Sequence, residues 1–285
     1  MTDEKPAIAG RRSFFKGLGM VGAGAAAMLA AGHLNPAKAD FDGSALPDDP
    51  NAIFTAALIA EDLATTFYYN GLTGMVIQDP ALAGPGGTAT NVTAAGNVGN
   101  VNYLQAALTQ EISHANLLRS LLNGAAASGD PYQTFHFPAG TFDTLSAFTA
   151  MLDALENAFI GAYLAAVRQF GFMAARGNSN YFNSNSTHTF SRDELIYFGQ
   201  VSASILGIEC EHRVLGRVIS NTNPANQLNY EQTDGIVNVY SGSSSAVNAL
   251  LPFLNAATGP AYSLASALAG QGAVSIPSTG NIPTF

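Results

Sequence analysis

One cysteine, no tryptophan and little charge set the first limits on this 285-residue chain. The lone Cys210 excludes an internal disulfide, so folding cannot depend on oxidation. Charged residues are only 11% of the chain, well below the usual share, and glycine, alanine, serine and asparagine fill the difference. That balance looks less like a cytosolic enzyme than like an extracytoplasmic protein. Lysine occurs only within residues 1–39, and without them six arginines face eighteen acids, a net charge of −12. No basic patch remains to neutralise a phosphate backbone, which argues against nucleic acid as a partner. What is present is apolar: 47% of the residues are hydrophobic, enough for one large domain with a real core.

The N-terminus carries a specific signal. Gly10-Arg11-Arg12-Ser13-Phe14-Phe15-Lys16 precedes a mild apolar run over residues 17–34 and then Ala37-Lys38-Ala39. This resembles a bacterial twin-arginine (Tat) export signal with cleavage after Ala39. The resemblance implies the Tat translocon as a partner during export and a periplasmic or extracellular destination. The run is rich in glycine and alanine and makes a poor permanent membrane span, a retained N-terminal anchor being the alternative. No cysteine follows it that could take a lipid.

Residues 40–50 are acidic and contain proline, which suits a flexible lead. From Asn51 the pattern turns helical, with Ile53, Ala57, Leu58, Glu61, Ala64, Thr65 and Tyr68 at three- and four-residue spacing. This helix should end near Gln78, before Asp79-Pro80 and a glycine-rich loop reaching Asn100. A second helix is expected over 101–123, stopped by Gly124. Residues 125–140 read as an extended crossover that could span about 50 Å. A third helix is expected over 142–176 and a polar loop over 178–189. Ser191 with Glu194 matches a capping box that opens a fourth helix to about Ser220. Residues 51–220 therefore form one all-α unit, followed by an extension over 221–285 with one short helix near 245–255 and an irregular tail.

The four helices repeat a pattern. Glu61 is followed seven residues later by Tyr68, and Glu156 seven residues later by Tyr163. Each pair is followed by Glu-x-x-His-x-x-Leu: Glu111, His114, Leu117 and Glu209, His212, Leu215. Seven glutamates and four histidines after residue 39 would place about 0.1 Glu-x-x-His pairs by chance. Two occur, each on an expected helix. Three-residue spacing aims both side chains of a pair into one space, so four glutamates and two histidines from four helices would hold two metal ions.

The order Glu61, Glu111-x-x-His114, Glu156, Glu209-x-x-His212 resembles the ferritin-like carboxylate proteins. Together with the export signal and the alanine-rich helices, it looks like the ferritin-like proteins grouped with desiccation-related proteins. The resemblance covers residues 51–220 and implies a ferritin-like four-helix bundle with a long crossover and an extra C-terminal segment. It implies two iron ions, with two manganese ions as the alternative. Glu111 and Glu209 would bridge them, Glu61 and Glu156 would be terminal ligands, and His114 and His212 would each complete one ion's shell. Four carboxylates match the charge of two divalent ions, and without metal some would have to hold protons. Oxygen and imidazole ligands suit iron or manganese better than structural zinc.

Tyr68 and Tyr163 lie two turns beyond Glu61 and Glu156 and lean back toward them, as hydrogen-bond donors, radical relays or core aromatics. Cys210 sits one residue round the helix and reads as core filler. Glu211 points off the site, toward a pairing with Arg213, Arg217 or another arginine. His136 and His188 fall in loops without a role. The resemblance implies an exported dimetal oxidoreductase or metal-handling protein of envelope stress protection, acting with peroxide, dioxygen or ferrous iron. A di-manganese catalase and a non-enzymatic desiccation- or envelope-protective protein are the alternatives, and a ferritin storage cage fits poorly with the long loops and C-terminal extension. A homo-oligomer is left open.

Overall fold

Helix α1 (Pro50–Thr73) starts where its chemistry dictates. The Asp49 carboxylate accepts from the Asn51 N–H at 2.8 Å, a side-chain cap for one of the helix's orphan donors. Pro50 occupies the first turn, where a missing N–H costs nothing. The computed structural model describes residues 47–79, 82, 100–124, 126–176, 189–222 and 230–275. The export signal, most of the 40–50 lead, the glycine-rich loop before Asn100, the 178–188 stretch with His188 and the tail beyond 275 lie outside the described residues.

The four long helices follow the expected order: α1, α2 (Asn100–Leu121), α3 (Leu145–Arg176) and α4 (Arg192–Ile219). Their ends show which local chemistry wins. Helix α1 stops short of Gln78 because extended Gly74 closes it, donating to Asn70 O at 3.0 Å, and a separate 3-10 turn covers Val76–Gln78. Asn123, not Gly124, takes the left-handed conformation after α2, with φ of 54°, a role that asparagine can share with glycine. Helix α3 begins later than Phe142 because the Thr144 hydroxyl caps it, accepting from the Ala147 N–H at 3.1 Å. The Ser191 capping box is fully formed. Its hydroxyl accepts from Glu194 N, and the Glu194 carboxylate accepts from Ser191 N at 2.7 Å. Helix α3 is the one described helix long and apolar enough to cross a membrane. More than half of that stretch is buried within the protein, and it carries the buried Glu156, so its hydropathy suits a core helix.

Helix α1 packs chiefly on α2, and α3 on α4, so the bundle is two hairpins joined by the crossover. Two apolar clusters fill it. One holds Leu63, Phe67, Phe148 and Leu152, with Phe67 stacked on Phe148 at 4.5 Å between ring centres. The other holds Phe54, Phe170, Leu195 and Phe198. Along α1, α2 and α4 the ligand candidates fall where one cluster gives way to the other.

The crossover and the C-terminal extension hold more structure than expected. Residues 126–140 are not simply extended: a 3-10 turn at Ala127–Gly129 leads into strand β1 (Thr134–His136). The extension carries α5 (Ala246–Leu250), strand β2 (Ala261–Ser263) and a second short helix, α6 (Leu264–Gly270). β2 pairs antiparallel with β1, Phe135 opposite Tyr262, so the extension ties down the crossover. Helix α6 packs on α1, and α5 on α3. Asp48 adds a further tie, accepting from Tyr240 N at 2.8 Å, Ser241 N at 3.0 Å and the Gln169 amide at 3.1 Å.

Gly161 is where the extension comes closest to α3. A Cβ there would stand 2.7 Å from Thr233 O and 3.2 Å from Ile236 Cδ1. Gly161→Ala should therefore cost about 1–3 kcal/mol through overpacking. The change is read as a melting midpoint lower by about 2 °C or more. An unchanged midpoint would mean that the extension is not seated on α3 at this point.

Candidate metal centre

Six side chains from four helices meet between the two apolar clusters: Glu61 from α1, Glu111 and His114 from α2, Glu156 from α3, Glu209 and His212 from α4. All six are buried, Glu111, Glu156 and Glu209 completely. The i, i+3 spacing turns both members of each Glu-x-x-His pair inward, as the sequence implies.

Their ligand atoms form two groups, Glu61, Glu111, His114 and Glu209 on one side and Glu111, Glu156, Glu209 and His212 on the other. Within each group the atoms lie within 4.8 Å of one another. His114 Nδ1 is 3.2 Å from Glu61 Oε2, 3.4 Å from Glu209 Oε1 and 3.7 Å from Glu111 Oε2. His212 Nδ1 is 2.9 Å from Glu111 Oε1, 3.6 Å from Glu209 Oε2 and 3.9 Å from Glu156 Oε1. Glu111 and Glu209 belong to both groups, each offering one oxygen to either imidazole.

The donor chemistry fits a pair of cations. Both oxygens of Glu111 and of Glu209, Oε2 of Glu156 and Nδ1 of His212 are buried without a hydrogen-bond partner among the described residues. The 2.9 Å approach of His212 to Glu111 lacks hydrogen-bond geometry, as expected for two atoms aimed at a shared third one. Buried polar atoms left unpaired cost about 1–3 kcal/mol each. Six in one place would be a heavy penalty unless something positive sits between them. Cations bound by these residues would remove it.

Protons are the competing positive charge. Burial, reinforced by the Glu209 carboxylate, pushes Glu61 and Glu156 well above the ordinary carboxylate range. Burial also opposes ionisation of Glu111, yet the charge of the adjacent His212 imidazole holds it below that range. Burial disfavours charge on both histidines, but carboxylates outweigh it, chiefly Glu61 on His114 and Glu111 on His212, and both are raised well above 6.5.

The tyrosines correct one expectation. Tyr68 does not turn back to Glu61 on its own helix but donates to Glu156 Oε1 across the bundle at 2.8 Å. Tyr163 likewise crosses to donate to Glu61 Oε1. Each hairpin thus fixes a glutamate of the other, Glu156 or Glu61. Burial, then the adjoining carboxylates, raises both phenols, so both stay protonated donors. Cys210 is half-buried and off the site, and burial raises its thiol. Arg213 pairs with Glu231, and Arg217 with Asp153 at 2.9 Å, rather than with exposed Glu211. His136 lies on β1 and donates to Gly259 O at 3.1 Å.

Two features escape the sequence pattern. Gln110 accepts a hydrogen bond from His212 Nε2 at 2.9 Å. Asp62, next to Glu61, meets Arg119 at 2.6 Å, and Arg119 also reaches Asp130 at 2.7 Å, pinning α1 to α2 and the crossover. Neither residue belongs to the Glu-x-x-His repeat.

Residues 50–175 match the model of the ferritin-like domain family. That span ends before α4, so the family match covers Glu61, Glu111, His114 and Glu156, and the structure adds Glu209 and His212. No curated protein and no solved structure matches the chain.

Glu61, Glu156, His114 and His212 all bind a proton more tightly folded than unfolded. Their stabilisation is full below the ordinary values of 4.5 and 6.5 and is lost as pH climbs through the raised folded values. Glu111 works the other way, in a window below 4.5. Metal-free protein should therefore melt lower as pH rises from about 5 to 9, while the rise in melting temperature on adding Mn(II) grows over the same range. Melting curves with and without the ion test this, and a metal-induced shift independent of pH would contradict it.

Proposed function

We propose that this protein, which carries a domain of the ferritin-like family, holds two iron ions between its six inward-facing ligands and works as a redox protein. Manganese is the alternative metal. The supporting observation is that Glu111 and Glu209 are common to both ligand groups, which suits two adjacent ions and not one. A pair of redox-active ions there would pass electrons from incoming ferrous iron to peroxide or dioxygen, the iron becoming ferric as the oxidant is reduced toward water.

The chain's own residues do the holding. Glu111 and Glu209 would be shared by the pair, and Glu61 with His114 and Glu156 with His212 would hold its two ends. Tyr163 and Tyr68 orient the terminal carboxylates through their hydroxyls. The apolar clusters on either side keep bulk water from the ligands. A cavity of about 20 Å³ lies against Tyr163 and Ala60, walled by Phe159, Ala57 and Ala162. That is room for one guest of water or dioxygen size. Its apolar lining favours a small uncharged co-reactant. We also place the protein outside the cytoplasm, on the strength of the Arg11-Arg12 signal, with metal bound before export and a role in envelope stress protection.

The reading is tested on protein loaded anaerobically with Fe(II) or Mn(II) and then given peroxide or air. The expected result is repeated turnover, as ferrous oxidation or peroxide reduction, that falls to background in Glu111→Ala along with the bound metal. Oxygen evolution from peroxide by the manganese form would identify a catalase. Two bound ions that raise the melting temperature but support none of these reactions would leave the protective, non-enzymatic role and defeat the redox one.

A further inference from the structure

We infer that the two ends of the metal centre are unequal: the Glu156–His212 end retains a resident ion, and the Glu61–His114 end is a position that takes up and releases a divalent cation. This rests on the two-metal reading above.

The difference lies in what stands behind each imidazole. On the far side of the His212 ring, Nε2 donates to Gln110 Oε1 at 2.9 Å, since an amide oxygen can only accept. That bond fixes the ring and leaves the Nδ1 lone pair facing Glu111, Glu156 and Glu209. His114 presents Nδ1 to Glu61, Glu111 and Glu209 in the same manner. Among the described residues, however, none accepts from its Nε2. Its side chain is 11% exposed against 3% for His212.

The internal repeat gives the reason. Gln110 immediately precedes Glu111 on α2 and reaches across to the histidine of α4. The matching residue, immediately before Glu209 on α4, is Ile208, an aliphatic side chain that accepts no hydrogen bond. One histidine is therefore locked by the opposite hairpin and the other is not. A ring held by Glu61 at 3.2 Å on one side alone, and slightly more exposed than its counterpart, lowers the barrier for an ion to leave or arrive beside Glu61. Gln110 acts through His212 and is a positioning residue.

Load the full protein with two Mn(II) per chain, add excess EDTA, and follow the manganese still bound to the protein in rapidly desalted aliquots by elemental analysis. Two phases of one ion each are expected. A symmetric pair whose members weaken each other would also give two phases, so two substitutions separate the cases. Gln110→Leu should speed the slow phase about 10–100-fold and leave the fast one. Ile208→Gln should slow the fast phase toward the slow one, with an unchanged melting temperature confirming an intact fold. Release of both ions at one rate, or substitutions that shift both phases alike, would overturn the inference while leaving the two-metal centre standing. A protein that retains no manganese would overturn both.

Discussion

Four carboxylates and two imidazoles packed into a layer without bulk water form the constraint that the rest of the molecule answers. Like charges at such distances repel strongly in a low-dielectric interior, and burial penalises each of them further. Only a positive charge in their midst makes the layer tolerable, whether protons on Glu61, Glu156 and both histidines or metal ions bound by all six. The orphaned oxygens of Glu111 and Glu209 favour the second, because protons on Glu61 and Glu156 leave Glu111 and Glu209 unpartnered. A site that is costly when bare would tie any metal it binds to folding.

The scaffold is arranged to keep those groups from drifting apart. Each hairpin supplies one Glu-x-x-His pair and a tyrosine that crosses to hold the other hairpin's lone inward glutamate. Arg119 joins Asp62 to Asp130, bracing α1 at the residue beside Glu61. The C-terminal extension then clamps the crossover through the β1–β2 ribbon and braces α3 through Gly161 and Gln169. These contacts hold the two hairpins, which have no short connection between them, in one register.

Much of this is legible in the residues alone. Helical periodicity, the Ser191–Glu194 box and the doubled Glu-x-x-His spacing carry local information, so four helices and six inward-facing Glu and His side chains follow from them. What crosses between elements is not legible. Spacing places Tyr68 on the face of Glu61, but says nothing of the helix opposite, and the hydroxyl goes to Glu156 instead. The three-residue strands are too short for a period-two pattern, so the ribbon leaves no trace in the sequence. Gln110 carries neither charge nor ligand chemistry, and its importance emerges only once α2 and α4 are side by side. Helix stops also differ from expectation where a competing group is nearby, as at Gly74 and Asn123.

The central claim is that two ions sit between the hairpins and share Glu111 and Glu209. Anomalous diffraction from crystals of the iron-loaded protein, collected across the iron absorption edge, tests it most directly. The account predicts two peaks inside the bundle, both contacting Glu111 and Glu209, one beside Glu61 and His114 and the other beside Glu156 and His212. A single peak, or peaks only on surface carboxylates with these six residues unliganded, would contradict it.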